Sequence, residues 1–153
     1  MKNLITIGLP SKGRLKEGSI NFFARNNLKL TSNGGERNYF AEVKNFPNIK
    51  IIYLHAKEII QRIGDGTLDI GISGLDLLNE SATNLKQKIE VKKKLDFGSA
   101  NVVVAIPNDW IDVQTVADLE EVSFDFRDKK NTRLRVATKY PNLTNNFLVS
   151  KGV

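Results

Sequence analysis

Short apolar runs alternate with amphipathic stretches along almost the whole chain. The runs are rich in Ile, Val and Leu, and this composition predicts buried β-strands. The stretches between them repeat apolar residues at near-helical spacing and predict short helices. Alternating strands and helices favour an α/β fold with mixed, mostly parallel sheets and flanking helices. The expected strands are residues 4–9, 49–54, 68–73, 89–95, 101–106 and 134–137, with a short one at 42–43; the expected helices are residues 15–26, 56–64, 75–78, 113–119 and 141–151.

Two turn signals and one break in composition divide this pattern. The Gly-Gly pair within residues 33–37 predicts a flexible turn, and Pro47-Asn48 predicts another. Near residues 96–99 a basic connector gives way to a new apolar strand. We therefore expect two lobes, the first formed by residues 1–95 and the second by residues 96–153.

Three polar loops each follow an expected buried strand. In open α/β sheets ligands bind beyond the carboxyl ends of the strands, so the loops are candidates for one shared crevice. Glycine allows a ligand to approach the backbone, arginine offers a planar fork for phosphate oxygens, and lysine supplies a compact charge. The candidate binding residues are Lys12, Gly13 and Arg14 in the first loop, Gly71, Ser73, Gly74 and Asp76 in the second, and Thr138, Lys139, Tyr140 and Asn142 in the third.

Each loop also has an ordinary structural interpretation. The first has the composition of a solvated turn, and its glycine spacing does not fit a Walker A loop. In the second, the glycines could serve tight packing while Asp76 caps a helix; alternatively Asp76 accepts bonds from hydroxyls or helps to hold magnesium. The third lies in a strand, a polar turn and a helix start, with Pro141 in the first helical turn, which is a common anion-binding arrangement. Tyr140 could stack on a base or simply pack.

The composition narrows the chemistry. The 153 residues are 41% hydrophobic and 26% charged, as in ordinary globular proteins. There is no cysteine, and the single histidine, His55, leaves no histidine-based metal site or triad, so we expect it to be structural. The net charge of +6 could serve nucleotides or sugar phosphates, or only solubility. We expect a cytoplasmic protein with no membrane span and no nucleic-acid partner, because the chain lacks cysteine, a signal peptide, a long apolar run and an arginine-rich helix.

Four segments together resemble the catalytic subunit of ATP phosphoribosyltransferase, the enzyme that begins histidine biosynthesis. They occur in the expected order and span nearly the whole chain, and the last is the most specific. The charged stretch at residues 124–130 is similar to a subgroup of the short form of that enzyme. The four segments are Ile7–Leu15 (IGLPSKGRL), Asp65–Leu77 (DGTLDIGISGLDL), Leu95–Gly98 (LDFG) and Arg135–Thr144 (RVATKYPNLT).

The resemblance implies a two-lobed fold like that of periplasmic binding proteins. It also implies magnesium-dependent transfer of a phosphoribosyl group from phosphoribosyl pyrophosphate to N1 of the ATP adenine, with release of pyrophosphate. Lys12 and Arg14 would then meet nucleotide phosphates, residues 71–76 would line the nucleotide site, and residues 138–142 would face the crevice from the second lobe. The short form further implies a homo-oligomer and a separate regulatory subunit that resembles a histidyl-tRNA synthetase.

One departure from the family pattern concerns the C-terminus. In the family, a loop that binds the phosphate of phosphoribosyl pyrophosphate follows the helix after Tyr-Pro-Asn, whereas this sequence stops at Val153. We therefore expect a fragment, or a product shortened at its C-terminus, with little activity alone. The alternative is a non-enzymatic two-lobed module that binds a small ligand or effector. Such a module would share the glycine-rich pattern without needing Lys-Gly-Arg and Thr-Lys-Tyr-Pro-Asn together.

Overall fold

A computed structural model describes residues 4–32 and 39–153, so the turn expected at residues 33–37 lies outside the described residues. The chain divides into two compact units, Met1–Ala100 and Asn101–Val153. The division follows Ala100, whereas the sequence suggests a lobe boundary after residue 95. The physical reason is that residues 97 and 98 pack on the first helix, where the Phe97 ring occupies the space beside Gly18.

The first unit is built on a five-stranded mixed sheet with the strand order β2-β3-β4-β1-β5. β1 (Ile5–Pro10) runs parallel to β4 (Phe46–Leu54) on one side and to β5 (Ile70–Gly71) on the other. β2 (Leu30–Thr31) and β3 (Phe40–Val43) extend the sheet in antiparallel fashion. The expectation of an α/β fold with a mixed sheet is confirmed for this unit, but the sheet is not mostly parallel, because two of its four strand pairings are antiparallel.

Four helices belong to the first unit: α1 (Gly13–Arg25), α2 (Ala56–Gly64), α3 (Leu75–Glu80) and α4 (Thr83–Lys86). The first three are confirmed predictions, and α2 has the predicted bounds. The short α4 was not predicted, because its four residues are polar apart from Leu85 and show no periodicity. β2 was not predicted either, because only two of its residues pair and so short a strand leaves no alternating pattern.

The core of the first unit lies between the sheet and α1. Leu9 and Ile51 are completely buried, and Phe23 of α1 packs with them. On the other side, two glycines let α2 approach the sheet closely. A Cβ on Gly8 would lie 3.3 Å from Ile59 of α2 and 2.6 Å from Leu68 Cδ1, and one on Gly71 would lie 2.3 Å from a methyl carbon of Ile59.

The turn predicted at Pro47-Asn48 is wrong. The β3–β4 hairpin instead turns at Lys44-Asn45, and Pro47 lies inside the first residues of β4. Asn45 has a φ of 70°, a left-handed conformation that asparagine tolerates well in turns. The asparagine therefore marks the turn, and the proline is the second residue of the strand beyond it.

The second unit contains α5 (Val116–Lys130) and α6 (Pro141–Val149). The helix predicted at 113–119 is confirmed for residues 116–119; it begins three residues later than predicted and continues for eleven residues more, from 120 to 130. Its start is fixed by a capping box in which the Thr115 hydroxyl accepts from the Asp118 N–H and Asp118 accepts from the Thr115 N–H. An ion pair between Asp125 and Lys129 supports its last turns.

Three of the predicted strands are wrong. Residues 89–95, 101–106 and 134–137 have no strand assignment, and of 68–73 only Ile70–Gly71 pairs. A strand exists only where a neighbouring strand accepts its hydrogen bonds, and within the described residues these segments have no such neighbour. As a result Val103 keeps 75% of its surface exposed, although its residue type favours a sheet interior.

Candidate functional site

The parallel strands of the first unit all end at one edge of the sheet, which we call the carboxyl edge. Pro10 and Leu54 are register partners there, and the Ser11 N–H donates to the Leu54 carbonyl over 2.8 Å. The Ile72 N–H donates to the Gly8 carbonyl over 3.0 Å, which ties the end of β5 to β1. The structure therefore brings the first two predicted loops together at this edge.

Three helices begin at the carboxyl edge, since α1, α2 and α3 each follow one of the parallel strands. Helix N-termini carry partial positive charge and free N–H groups, so an edge that collects them favours anions. α1 is the most open of the three. Among the described residues no side chain caps it, and its first turn holds no acidic residue.

The first loop is exposed and basic. Lys12 is the N-cap of α1, and Lys12 and Arg14 are both exposed. Gly13 has a φ of +65°, while a Cβ there would meet no atom within 4 Å. Glycine is thus required for the left-handed backbone that starts the helix, and the space around it is open. The contact of these residues with phosphate remains a prediction.

The second loop is held by internal contacts. The Ser73 hydroxyl donates to the Ala56 carbonyl over 2.7 Å, which links the loop to the start of α2. Gly74 is the N-cap of α3, and the Asp76 carboxylate folds back to within 2.1 Å of where a Cβ on Gly74 would lie. The packing role considered for Gly71 is confirmed, because the space beside it is filled by α2. A ligand contact at this loop remains a prediction.

His55 lies at the carboxyl edge directly after β4. It is the N-cap of α2, and its Nδ1 atom accepts a hydrogen bond from the Lys57 N–H over 3.3 Å. The expected structural role of this residue is therefore confirmed. Asp69 is also structural, since its carboxylate accepts the Thr6 N–H over 2.7 Å and its own N–H donates to the Thr6 carbonyl.

One pair of residues near this edge was not predicted from the sequence. The Lys16 ammonium lies 5.2 Å from the centre of the Tyr53 ring, and Tyr53 is only 9% exposed. Burial raises the pKa of the Tyr53 hydroxyl, so the ring stays neutral well into the alkaline range. The available signal was the position of Lys16, four residues or about one helical turn after Lys12.

The third loop lies in the second unit and has its own internal bonding. The Tyr140 N–H donates to the Thr138 hydroxyl over 3.0 Å, and that hydroxyl also bonds the Thr144 hydroxyl over 2.9 Å. Pro141 occupies the first turn of α6, as predicted. The Lys139 ammonium lies 5.8 Å from the centre of the Tyr140 ring. The loop is thus a pre-formed turn at a helix start, and its ligand contacts remain a prediction.

A surface depression of about 470 Å³ also lies in the second unit. It is lined by carboxylates and an arginine together, including Glu120, Glu121 and Arg127, and contains none of the candidate binding residues. Mixed charge and an open shape make it a weaker candidate for an anion than the carboxyl edge of the first unit.

Two features of the described residues bear on the chemistry. Within residues 4–32 and 39–153, no group of three or more histidine, aspartate or glutamate side chains is arranged to hold a metal ion. Over the same residues, the helices fall short of the length and apolar character that crossing a bilayer requires.

Comparison with known proteins gives consistent matches. A sequence model of the family described as HisG: ATP phosphoribosyltransferase matches residues 55–153. An ATP phosphoribosyltransferase of Rhodopseudomonas palustris is 46% identical over 153 residues, covering 100% of this chain and 47% of that protein. One of Mesorhizobium japonicum is 45% identical over 97% of this chain and 64% of its own length. The chain therefore spans about half to two thirds of the length of these curated relatives.

Proposed function

Since the chain belongs to the ATP phosphoribosyltransferase family, we propose that the protein takes part in the first step of histidine biosynthesis. In that reaction a phosphoribosyl group passes from phosphoribosyl pyrophosphate to N1 of the ATP adenine, and pyrophosphate leaves. Because the chain spans only part of the length of its relatives, the reaction and both substrates are assigned here to the whole protein. To this chain we assign binding of the nucleotide.

The observation that supports this assignment most directly is the carboxyl edge of the first unit. Two candidate loops meet there, three helices begin there, and the first loop adds the exposed cations Lys12 and Arg14. Backbone N–H groups and cations together are the usual means by which proteins hold phosphate groups. A glycine with positive φ at the start of α1 keeps this surface open to a ligand.

The chemistry of the reaction suits such a site. N1 of adenine carries no proton to remove, so no strong base is required. The larger task is to stabilise the charge on the departing pyrophosphate, which cations and N–H groups can do. The lack of cysteine and the structural role of His55 are therefore compatible with the proposed reaction.

Magnesium is the metal that the family resemblance implies. Mg²⁺ is commonly held by one or two carboxylates together with substrate phosphates, and not by a cage built from the protein alone. The donor set around the carboxyl edge fits that mode, with Asp76 in the first turn of α3 as the candidate carboxylate. When bound, the ion would neutralise phosphate charge.

Further parts of the proposal concern the whole protein. They are a two-lobed fold like that of periplasmic binding proteins, assembly as a homo-oligomer, a regulatory subunit resembling a histidyl-tRNA synthetase, and a cytoplasmic location. Thr138, Lys139, Tyr140 and Asn142 are proposed to contact substrate from the second unit. The pre-formed turn before α6 supports this role, because it presents backbone and a lysine at a helix start.

Calorimetric titration of the chain with ATP, AMP, adenosine and free amino acids tests the nucleotide assignment. We expect ATP to bind and the Arg14→Gln variant to bind it about tenfold more weakly, as loss of one charge-assisted contact implies. Arg25→Gln is the matched control, because Arg25 is an exposed arginine at the opposite end of α1. Binding of an amino acid without ATP would instead identify a non-enzymatic ligand-binding module.

The catalytic part of the proposal needs a separate measurement. The full-length protein should form phosphoribosyl-ATP from ATP and phosphoribosyl pyrophosphate, detected by chromatography of the nucleotide product. Nucleotide binding without any such product, under conditions where a curated relative is active, would reject the proposed reaction while leaving the binding site in place.

A further inference from the structure

The first turns of α1 carry an unusual accumulation of positive charge. Lys12 is the N-cap, Arg14 follows within the first turn, and Lys16 comes one turn after the cap. The N-terminus of a helix already bears partial positive charge, so cations there oppose the helix dipole. No acidic residue in the first turn offsets them. Such an arrangement is stabilised when an anion binds between the cations and the helix end.

Among the described side chains, the charge of Lys16 is held by a ring face and not by a carboxylate. Lys129 pairs with Asp125 and Lys92 pairs with Glu90, whereas none of the ion pairs in the described part of the chain includes Lys16. Its ammonium instead lies over the neutral ring of Tyr53 at 5.2 Å from the ring centre. A ring face attracts the cation without neutralising it. The charge therefore remains available to an anion.

The position of Tyr53 fixes where that charge is held. Tyr53 is the residue before Leu54, whose carbonyl accepts the Ser11 N–H at the carboxyl edge. Its ring is almost fully buried and packs in the core with Leu9 and Ile51, so it is a rigid platform. Lys16 is itself partly buried, and its ammonium is held over this ring; side chains of a helix lean toward its N-terminus, which for Lys16 is the end that carries Lys12 and Arg14.

We propose that Lys16, positioned by the ring of Tyr53, is a third cation of the nucleotide site and favours ligands that carry a chain of phosphates. The inference rests on the proposed nucleotide site at the carboxyl edge. Lys16 contacts ligand phosphate directly, and Tyr53 is a positioning residue that acts through it. Adenosine has no phosphate, so Lys16 and Tyr53 add nothing to its binding affinity.

The chain offers a matched control for this pair. The Lys50 ammonium lies 5.0 Å from the centre of the Phe40 ring, so it makes the same kind of contact. Lys50 is paired in register with Thr6 near the opposite end of the sheet, four residues or about 13 Å along β4 from Leu54. Replacement of Lys50 therefore removes one lysine and one ring contact, as replacement of Lys16 does, but far from the carboxyl edge.

Calorimetric titration of the 153-residue chain with ATP and with adenosine tests the proposal. We expect Lys16→Gln to weaken ATP binding about three- to tenfold, the range for one partly solvated charge contact, and to leave adenosine binding unchanged. Lys16→Arg should retain ATP affinity, because guanidinium also stacks on a ring. Lys50→Gln should match the unaltered chain. Equal ATP affinities for Lys16→Gln and Lys50→Gln would overturn the inference while the proposed function stands.

Variants of the ring separate positioning from general stability. Tyr53→Phe keeps the ring face and should keep ATP affinity, whereas Tyr53→Leu should lose as much as Lys16→Gln, and the double variant should lose no more than either alone. Losses that simply add would overturn the positioning role. Lys16→Gln without ligand should change the melting temperature little, since loss of the ring contact and removal of a charge that opposes the helix dipole act in opposite directions. If the unaltered chain binds no ATP, the inference and the nucleotide assignment both fall.

Discussion

Replacement of Gly18 by alanine tests the packing of residues 97 and 98 on α1, because two effects of opposite sign compete. Gly18 lies inside α1, where a change from glycine to alanine ordinarily stabilises a helix by about 0.8–1 kcal/mol. The new Cβ, however, would lie 2.2 Å, 2.6 Å and 2.7 Å from three atoms of the Phe97 ring. Real Cβ atoms do not approach so closely, so the ring must move.

The size of the steric effect decides whether Gly18→Ala raises or lowers the free energy of unfolding. Overpacking of this kind costs about 1–3 kcal/mol, and Phe97 is only partly buried, so the cost should lie in the middle of that range. We therefore expect Gly18→Ala to destabilise the first unit by about 1 kcal/mol. In a Phe97→Ala background the obstacle is absent, and the same change should stabilise by about 1 kcal/mol. The coupling between the two positions is then about 2 kcal/mol.

Urea unfolding followed by circular dichroism measures these differences in all four combinations. Asn21→Ala is the control, because Asn21 is exposed on the same helix and should stabilise equally in both backgrounds. The single tryptophan, Trp110, lies in the second unit and reports separately on that part. If Gly18→Ala stabilises the chain whether or not Phe97 is present, the packing described here is refuted.

Three more changes have definite expected outcomes. Gly13→Ala should cost about 1–2 kcal/mol in urea unfolding, despite open space around it, because its φ of +65° disfavours a side chain; a neutral result would contradict that conformation. Thr115→Ala should lower the stability of the second unit by about 1 kcal/mol through loss of the α5 cap, read from Trp110 fluorescence. The pKa of Asp118 is held below its usual value by N–H groups of Gln114 and Thr115 and by the Thr115 hydroxyl. The ionised Asp118 carboxylate therefore stabilises the folded chain fully above about pH 4, and this stabilisation is lost as the pH falls through the lower folded-state pKa. The variant Asp118→Asn should weaken the acid dependence of unfolding. An identical acid profile for the variant and the unaltered chain would argue against the capping box.

The local sequence pattern was sufficient to predict the helices and strands whose own residues carry a clear apolar pattern. α2 was predicted with its observed bounds because Ile59, Ile60 and Ile63 recur at helical spacing and glycines follow. β1 and β4 were predicted because each contains a largely apolar, β-branched stretch, and each pairs with a strand on both sides. Helix α5 was underestimated, since Phe124 and Phe126 alternate with charges in a pattern that also suits a strand.

The wrong or missing predictions share one physical cause: the structure at those positions depends on residues that are distant in the sequence. Residues 101–106 have strong strand propensity, but propensity does not supply the hydrogen-bonding neighbour that makes a strand. At the site, loop positions followed from the ends of strands, whereas the contact between Lys16 and Tyr53 depends on how α1 packs over β4. Likewise, the close approach of Gly71 to Ile59 arises only when helix α2 packs on the sheet, so it does not follow from the sequence near either residue. Sequence thus located the loops but not the contacts that support them.

The exposed apolar run at residues 102–106 of the second unit has a consequence for aggregation of the chain. Val102, Val103, Val104 and Ile106 expose from 37% to 75% of their surface, and no charge interrupts them before Pro107. An uncharged β-branched run of this kind is a template for pairing between molecules. The sheet of the first unit is better protected, because its outer strands β2 and β5 pair through only two residues each. Aggregation should therefore begin at residues 102–106, and it should be promoted by salt, which screens the mutual repulsion of chains carrying a net charge of +6.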